Sequence, residues 1–162
     1  MSEQSDAFFD KYVLLSIQPC YARKIFDGTK TVELRRMFPS LMVNQWVILY
    51  VSSPVKAIWG AIRINHILQK STECLWYEVK DYAGISKAEF DSYYTGAQFG
   101  YGIFINKTYR YDHPVSLDKL RSHVANFSPP QSFRYLPAYQ ATNLNLLDFE
   151  CHRKRPHNTI HI

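Results

Sequence analysis

Residues 28–36 read Gly28-Thr29-Lys30-Thr31-Val32-Glu33-Leu34-Arg35-Arg36. A glycine free to take a left-handed turn is followed by alternating residue types, the pattern of a strand leaving a turn. Alternation puts Lys30, Val32 and Leu34 on one face and Thr31, Glu33 and Arg35 on the other. Lys30 is then expected where the core-facing row meets the mouth of the fold. Partial desolvation there lowers a lysine pKa. Glu33 and Arg35 are next neighbours on one face and can pair or converge on a ligand. The same spacing also describes a solvated lysine and an ordinary surface ion pair, and alternation alone does not separate the two.

Upstream, Tyr12 to Ile17 reads as a buried strand, and Pro19 opens a short helix capped near Gln18 and ended by Gly28. The quoted stretch is the second strand, from Thr29 to Arg36. Downstream, Trp46 to Ser52 is apolar enough for a central strand. Lys56 to Ile67 follows, with Gly60 as a bulge or point of close approach. Residues 71–82 read as helix. Ser86-Lys87-Ala88-Glu89 is a capping box that starts another helix, stopped by Gly96. Phe99 to Tyr111 reads as a long strand, Leu117 to Val124 as a short helix and Leu144 to Cys151 as a last strand. Strands with short helices between them predict an α+β fold, a small barrel with helices packed outside.

The 162 residues fit one domain that needs neither disulfide nor metal to hold a core. No apolar run approaches the ~20 residues of a membrane span, so no membrane association is expected. The start, Met-Ser-Glu-Gln-Ser-Asp, is too polar for a signal peptide. Three irregularly spaced cysteines, Cys20, Cys74 and Cys151, argue against a disulfide framework and for a cytoplasmic location. The net charge is +5, with three uncompensated bases in residues 151–162 and three uncompensated acids in residues 1–10. The body between them is therefore itself basic, which suits a polyanion partner.

Gly28-x-Lys30-x-x-Glu33-x-Arg35, directly after a short helix, resembles the G-x-K-x-x-E-x-R signature of the ASCH domain family, a branch of the PUA-like β-barrels. Ser16-Ile17-Gln18-Pro19, Ser52-Ser53-Pro54-Val55-Lys56-Ala57, Gly84-Ile85-Ser86-Lys87 and residues 129–136 are similar to that group as well. The likeness covers most of residues 12–136. It implies an N-terminal arm over 1–11, the ASCH/PUA-like domain over 12–150 and a basic, His-containing tail over 151–162. It also implies a cleft beside the first helix and second strand, lined by Lys30, Glu33 and Arg35, that takes RNA or a modified nucleotide. Members reported as enzymes include ribonucleases and acetylcytidine amidohydrolases. The latter carry threonine, the nucleophile, where this chain has Glu33, and Thr31 lies about 7 Å along the strand from that place. Lys30 and Glu33 remain as an acid/base pair suited to metal-independent phosphodiester cleavage.

On the same resemblance Ser52 and Ser53 join the cleft wall, where the alternative is a plain turn. Gln131, Ser132 and Tyr135, with Phe133 between them, have the chemistry to hold an unstacked base or to anchor a loop. Trp59, Trp76, Tyr93, Tyr94 and Tyr101 offer stacking surface or core. Cys151, His152, His157 and His161 lack the paired spacing of a structural zinc site, so no metal is expected. No phosphate loop or dinucleotide fingerprint is present, and no cofactor is expected. Three functions remain open: an RNA or modified-nucleotide binder, a hydrolase of the same fold, and a module whose basic body meets an acidic protein.

Overall fold

A computed structural model describes residues 11–41 and 44–151. The strands are β1 (Lys11–Ile17), β2 (Val32–Arg35), β3 (Trp46–Val51), β4 (Ala57–Ser71), β5 (Phe99–Ser116) and β6 (Phe133–Pro137). The helices are α1 (Pro19–Asp27), α2 (Thr72–Val79), α3 (Lys87–Tyr93), α4 (Leu117–His123), α5 (Ala138–Asn143) and α6 (Asp148–Cys151). All six strands form one mixed sheet in the order β2-β5-β4-β3-β1-β6. Only β1 and β3 run parallel, and the chain between them carries α1 and β2. The other neighbours are antiparallel. The α+β class is as expected. The barrel is not closed: β2 and β6 stand at opposite edges with no ladder between them.

Strand periodicity sorts the apolar side chains into two layers. Leu14, Ile48, Tyr50 and Ile58 pack with Leu117, Leu120, Leu144 and Phe149 under α4, α5 and α6. Val13, Leu15, Val47, Leu49 and Ile62 pack on the other face with Ala22 and Ile25 of α1. A third cluster joins Val32 and Leu34 to Leu75, Val79 and Phe90 of α2 and α3.

Local signals hold where they rest on caps. Pro19 opens α1, and Gly28 closes it at φ 85° with its N–H on the Ile25 carbonyl. Ser86 and Glu89 form both halves of a capping box. Gly60 marks a register shift, and a Cβ there would stand 2.1 Å from the Tyr109 carbonyl oxygen, so only glycine lets β5 come this close.

The last strand is a correction. Residues 144–151 are a turn and a short helix, and the strand that pairs with β1 is β6. Leu144, Leu146 and Phe149 are buried by a turn, in which Asn145 takes φ 55°, and by the helix after it. Positive φ suits asparagine and does not belong to a ladder. The arm and the His-containing tail lie outside the described residues, apart from Lys11 and Cys151.

Candidate nucleotide cleft

Three charged side chains meet almost out of water: Lys30 is 3%, Glu33 5% and Arg35 8% exposed. Glu33 Oε1 accepts from Arg35 Nε at 3.0 Å, and Glu33 Oε2 lies 3.5 Å from Lys30 Nζ. Backbone carbonyls complete the set. Lys30 Nζ donates to the Ala83 oxygen at 2.7 Å and Arg35 Nη2 to the Ser16 oxygen at 2.6 Å. Two cations share one carboxylate, so the cluster carries one uncompensated positive charge. Burial pushes the Lys30 pKa below the usual lysine range, and Glu33 opposes part of that shift.

The position of Lys30 differs from strand alternation. β2 begins only at Val32. The Thr31 and Val32 N–H groups both donate to the Tyr82 carbonyl, at 2.9 and 3.1 Å, and the Lys30 N–H donates to Lys24. The Thr31 carbonyl still accepts from the Ile105 N–H of β5 at 2.9 Å, but the N–H groups of Lys30 and Thr31 are tied to α1 and to the loop at Tyr82 rather than to β5. Lys30 is freed from the Val32 row and its ammonium reaches Glu33. The Ala83–Gly84 turn holds both lysines of this corner, since Lys24 Nζ donates to the Gly84 oxygen at 2.8 Å. Gly84 takes φ 64°, and a Cβ there would stand 3.1 Å from Lys30 Cβ.

The cluster floors a cavity of about 690 Å³, walled by α1, α3 and the segment before β6. That volume is within the range of ~300–1,000 Å³ usual for small-molecule and cofactor sites. Of the residues expected in a site, Lys30, Glu33, Arg35, Gln131 and Ser132 line it. Ser52, Ser53 and Tyr135 do not. Ser52 builds the turn after β3, where its carbonyl accepts from the Val55 and Lys56 N–H groups. Ser53 is exposed in that turn. Tyr135 is 44% exposed on β6, with Lys11 Nζ 4.1 Å from its ring centre.

The lining residues not singled out for this wall include Tyr21 of α1, and Glu89 and Tyr93 of α3. Tyr21 lies under the Lys30 ammonium, 5.4 Å from ring centre to Nζ. Burial raises the pKa of both tyrosines, so their hydroxyls stay protonated as donors at neutral pH. The capping box of α3 was legible and marks this helix, but nothing local tied it to the cleft. Among the described residues no three His, Cys, Asp or Glu side chains gather as a metal site, and no helix is long and apolar enough to cross a membrane.

Fold and cavity define a small α+β domain with a cation-floored cleft between the edges of its sheet. The chain belongs to the ASCH domain family, whose profile matches residues 15–140. It is 31% identical over 126 residues to an ASCH domain-containing ribonuclease of Zymomonas mobilis, covering 78% of this chain and 84% of that one. A crystal structure of ASCH from Zymomonas mobilis superposes with a TM-score of 0.78 at 28% identity, over 83% of this chain and 93% of that one. The large ribosomal subunit protein uL22 of Ureaplasma parvum is 27% identical over 76% of this chain but only 39% of its own length.

Proposed function

We propose that the cleft binds RNA, taking one unstacked nucleotide at a time. The observation that carries this reading is the buried Lys30–Glu33–Arg35 cluster, with its uncompensated positive charge, flooring a cavity of nucleotide size. A phosphate supplies the missing negative charge, and Arg35 offers it the Nη1 end of its fork, since Nε and Nη2 are taken by Glu33 and the Ser16 carbonyl. Glu33 fixes that fork. Tyr21 and Tyr93 offer rings for the base, and Gln131 and Ser132 offer hydrogen-bonding groups for its edge.

A second reading, cleavage of the bound RNA, is favoured by the ribonuclease relative and by the lowered Lys30 pKa. Attack of a ribose 2′-hydroxyl on the adjacent phosphate needs a base for that proton, an acid for the departing 5′-oxygen and a cation for the phosphate charge. Lys30 with Glu33 supplies the proton transfers and Arg35 the cation. Acetyl hydrolysis has less support, because Thr31 is exposed and does not line the cavity.

The test is incubation of purified protein with a mixed short RNA pool, with and without EDTA, beside Lys30→Ala and Arg35→Ala. Salt-sensitive retention lost in both variants is the expected result. Cleavage that persists in EDTA and vanishes in Lys30→Ala adds the second reading. Retention unchanged in both variants overturns the cleft assignment. In that case competition by RNA against an acidic protein partner tests the interaction-module reading.

A further inference from the structure

On the side of α1 away from the cleft, two arginines share one aromatic platform. The Arg110 guanidinium of β5 lies 4.5 Å from the Trp59 ring centre and 5.5 Å from the Phe26 ring centre. The Arg23 guanidinium of α1 lies 5.9 Å from the same Trp59 ring. Trp59 is only 9% exposed, while both arginines are exposed. Among the described residues neither guanidinium has a carboxylate or hydrogen-bond partner. Asp27, one helical turn after Arg23, is occupied by the Thr29 N–H at 2.9 Å and the Thr29 hydroxyl at 2.6 Å. Gly60 makes the arrangement possible, since a Cβ there would meet the Phe26 ring and the Arg110 Cα, each at 3.0 Å.

Two like charges held against one ring repel, and an anion that reaches both relieves the repulsion. Stacking on an aromatic ring fixes each planar fork in advance, so less freedom is lost when its donors engage. Such forks match phosphate oxygens, and the contact reads no base. Tyr21 and Lys24 of the same helix face the cleft cluster, so a strand crossing α1 passes from one cationic group to the other.

We propose that Arg23 and Arg110, held over Trp59, are a second RNA contact that grips the phosphodiester backbone of nucleotides flanking the one in the cleft. This rests on the reading of the cleft as an RNA site. It assigns substrate length: chains long enough to cross α1 bind better than very short ones.

The test compares fluorescently labelled random RNA pools of three and twelve nucleotides, by anisotropy across a potassium chloride series. Arg23→Gln/Arg110→Gln is expected to weaken twelve-nucleotide binding and to reduce the slope of log affinity against log salt by roughly 1.4, at ~0.7 per single-strand phosphate contact. Three-nucleotide binding stays within about twofold of the parent, because the cleft is untouched. Arg23→Lys/Arg110→Lys keeps the charges and restores most of the slope, which separates a phosphate contact from lost packing. Equal weakening of both pools overturns the proposal, because the pair would then act through α1 on the cleft. An unchanged twelve-nucleotide slope, with Lys30→Ala and Arg35→Ala still weakening both pools, overturns it while the cleft stands. Indifference of both pools to all these variants removes the cleft and this contact together.

Discussion

Two groups of cations flank α1, and they are held in opposite ways. Lys30 and Arg35 are buried, share one carboxylate and each donate to a backbone carbonyl of their own. Arg23 and Arg110 are exposed and rest on rings with no carboxylate. Taking a charge from water costs several kcal/mol, so each member of the buried group depends on the others. An exposed guanidinium keeps its water and depends only on its platform. One group is therefore stiff and intolerant of change, and the other is tolerant and sensitive to salt.

The sharpest way to break this contrast is Glu33→Ala. It leaves two buried cations facing each other, and urea unfolding should show a loss of about 3–5 kcal/mol. A loss below about 1 kcal/mol would mean that water enters the cluster freely. Gly60→Ala acts on the exposed side. Its Cβ would overlap the Tyr109 carbonyl, so β5 must shift. The expected cost is about 1–3 kcal/mol, read in the same titration. It should weaken twelve-nucleotide RNA more than three-nucleotide RNA.

Smaller again is Ser86→Ala, which removes one half of the box that starts α3 below Glu89 and Tyr93. A loss of about 1 kcal/mol is expected by thermal unfolding. The pH dependence sharpens the buried side. The Lys30 pKa is lowered in the folded state, so its burial penalty is fully present below that folded value. Between that value and the ordinary lysine pKa of about 10.4, the unfolded chain binds more protons and stability rises with pH. Wild type should gain stability relative to Lys30→Met as urea titrations move from neutral pH toward pH ~10. A flat difference would place the lysine in water. Smallest of all, Arg110→Gln should change stability by at most about 1 kcal/mol, the scale of one exposed cation–π contact.

The contrast also explains what could be read in advance. Lys30, Glu33 and Arg35 lie within six residues, so their association was legible even though the strand rule misplaced Lys30. That rule fails because residues 30 and 31 precede β2 and their N–H groups answer to Lys24 and Tyr82. Arg23, Trp59 and Arg110 come from three distant elements, and no local pattern joins them. Tyr21, and the place of Tyr93 in the cleft, escaped notice for the same reason. Ser52 and Ser53 look alike whether they serve a ligand or a turn, since a hydroxyl beside proline suits both. Caps at Gly28 and Ser86 were legible because they satisfy backbone groups within a few residues. Leu144 to Cys151 misled because a turn and a short helix bury the apolar residues, Leu144, Leu146 and Phe149, that a strand would bury.

The edges of the sheet are β2 and β6, and they never meet. Glu33 and Arg35 belong to one edge, Gln131 and Ser132 precede the other, and the cavity opens between them. Arg35 already reaches across to the Ser16 carbonyl of β1, the strand beside β6. Had the ladder closed, backbone hydrogen bonds would fill this gap and leave no room for a guest. The missing pairing of β2 with β6 is the doorway of an arch that the chain leaves unfinished.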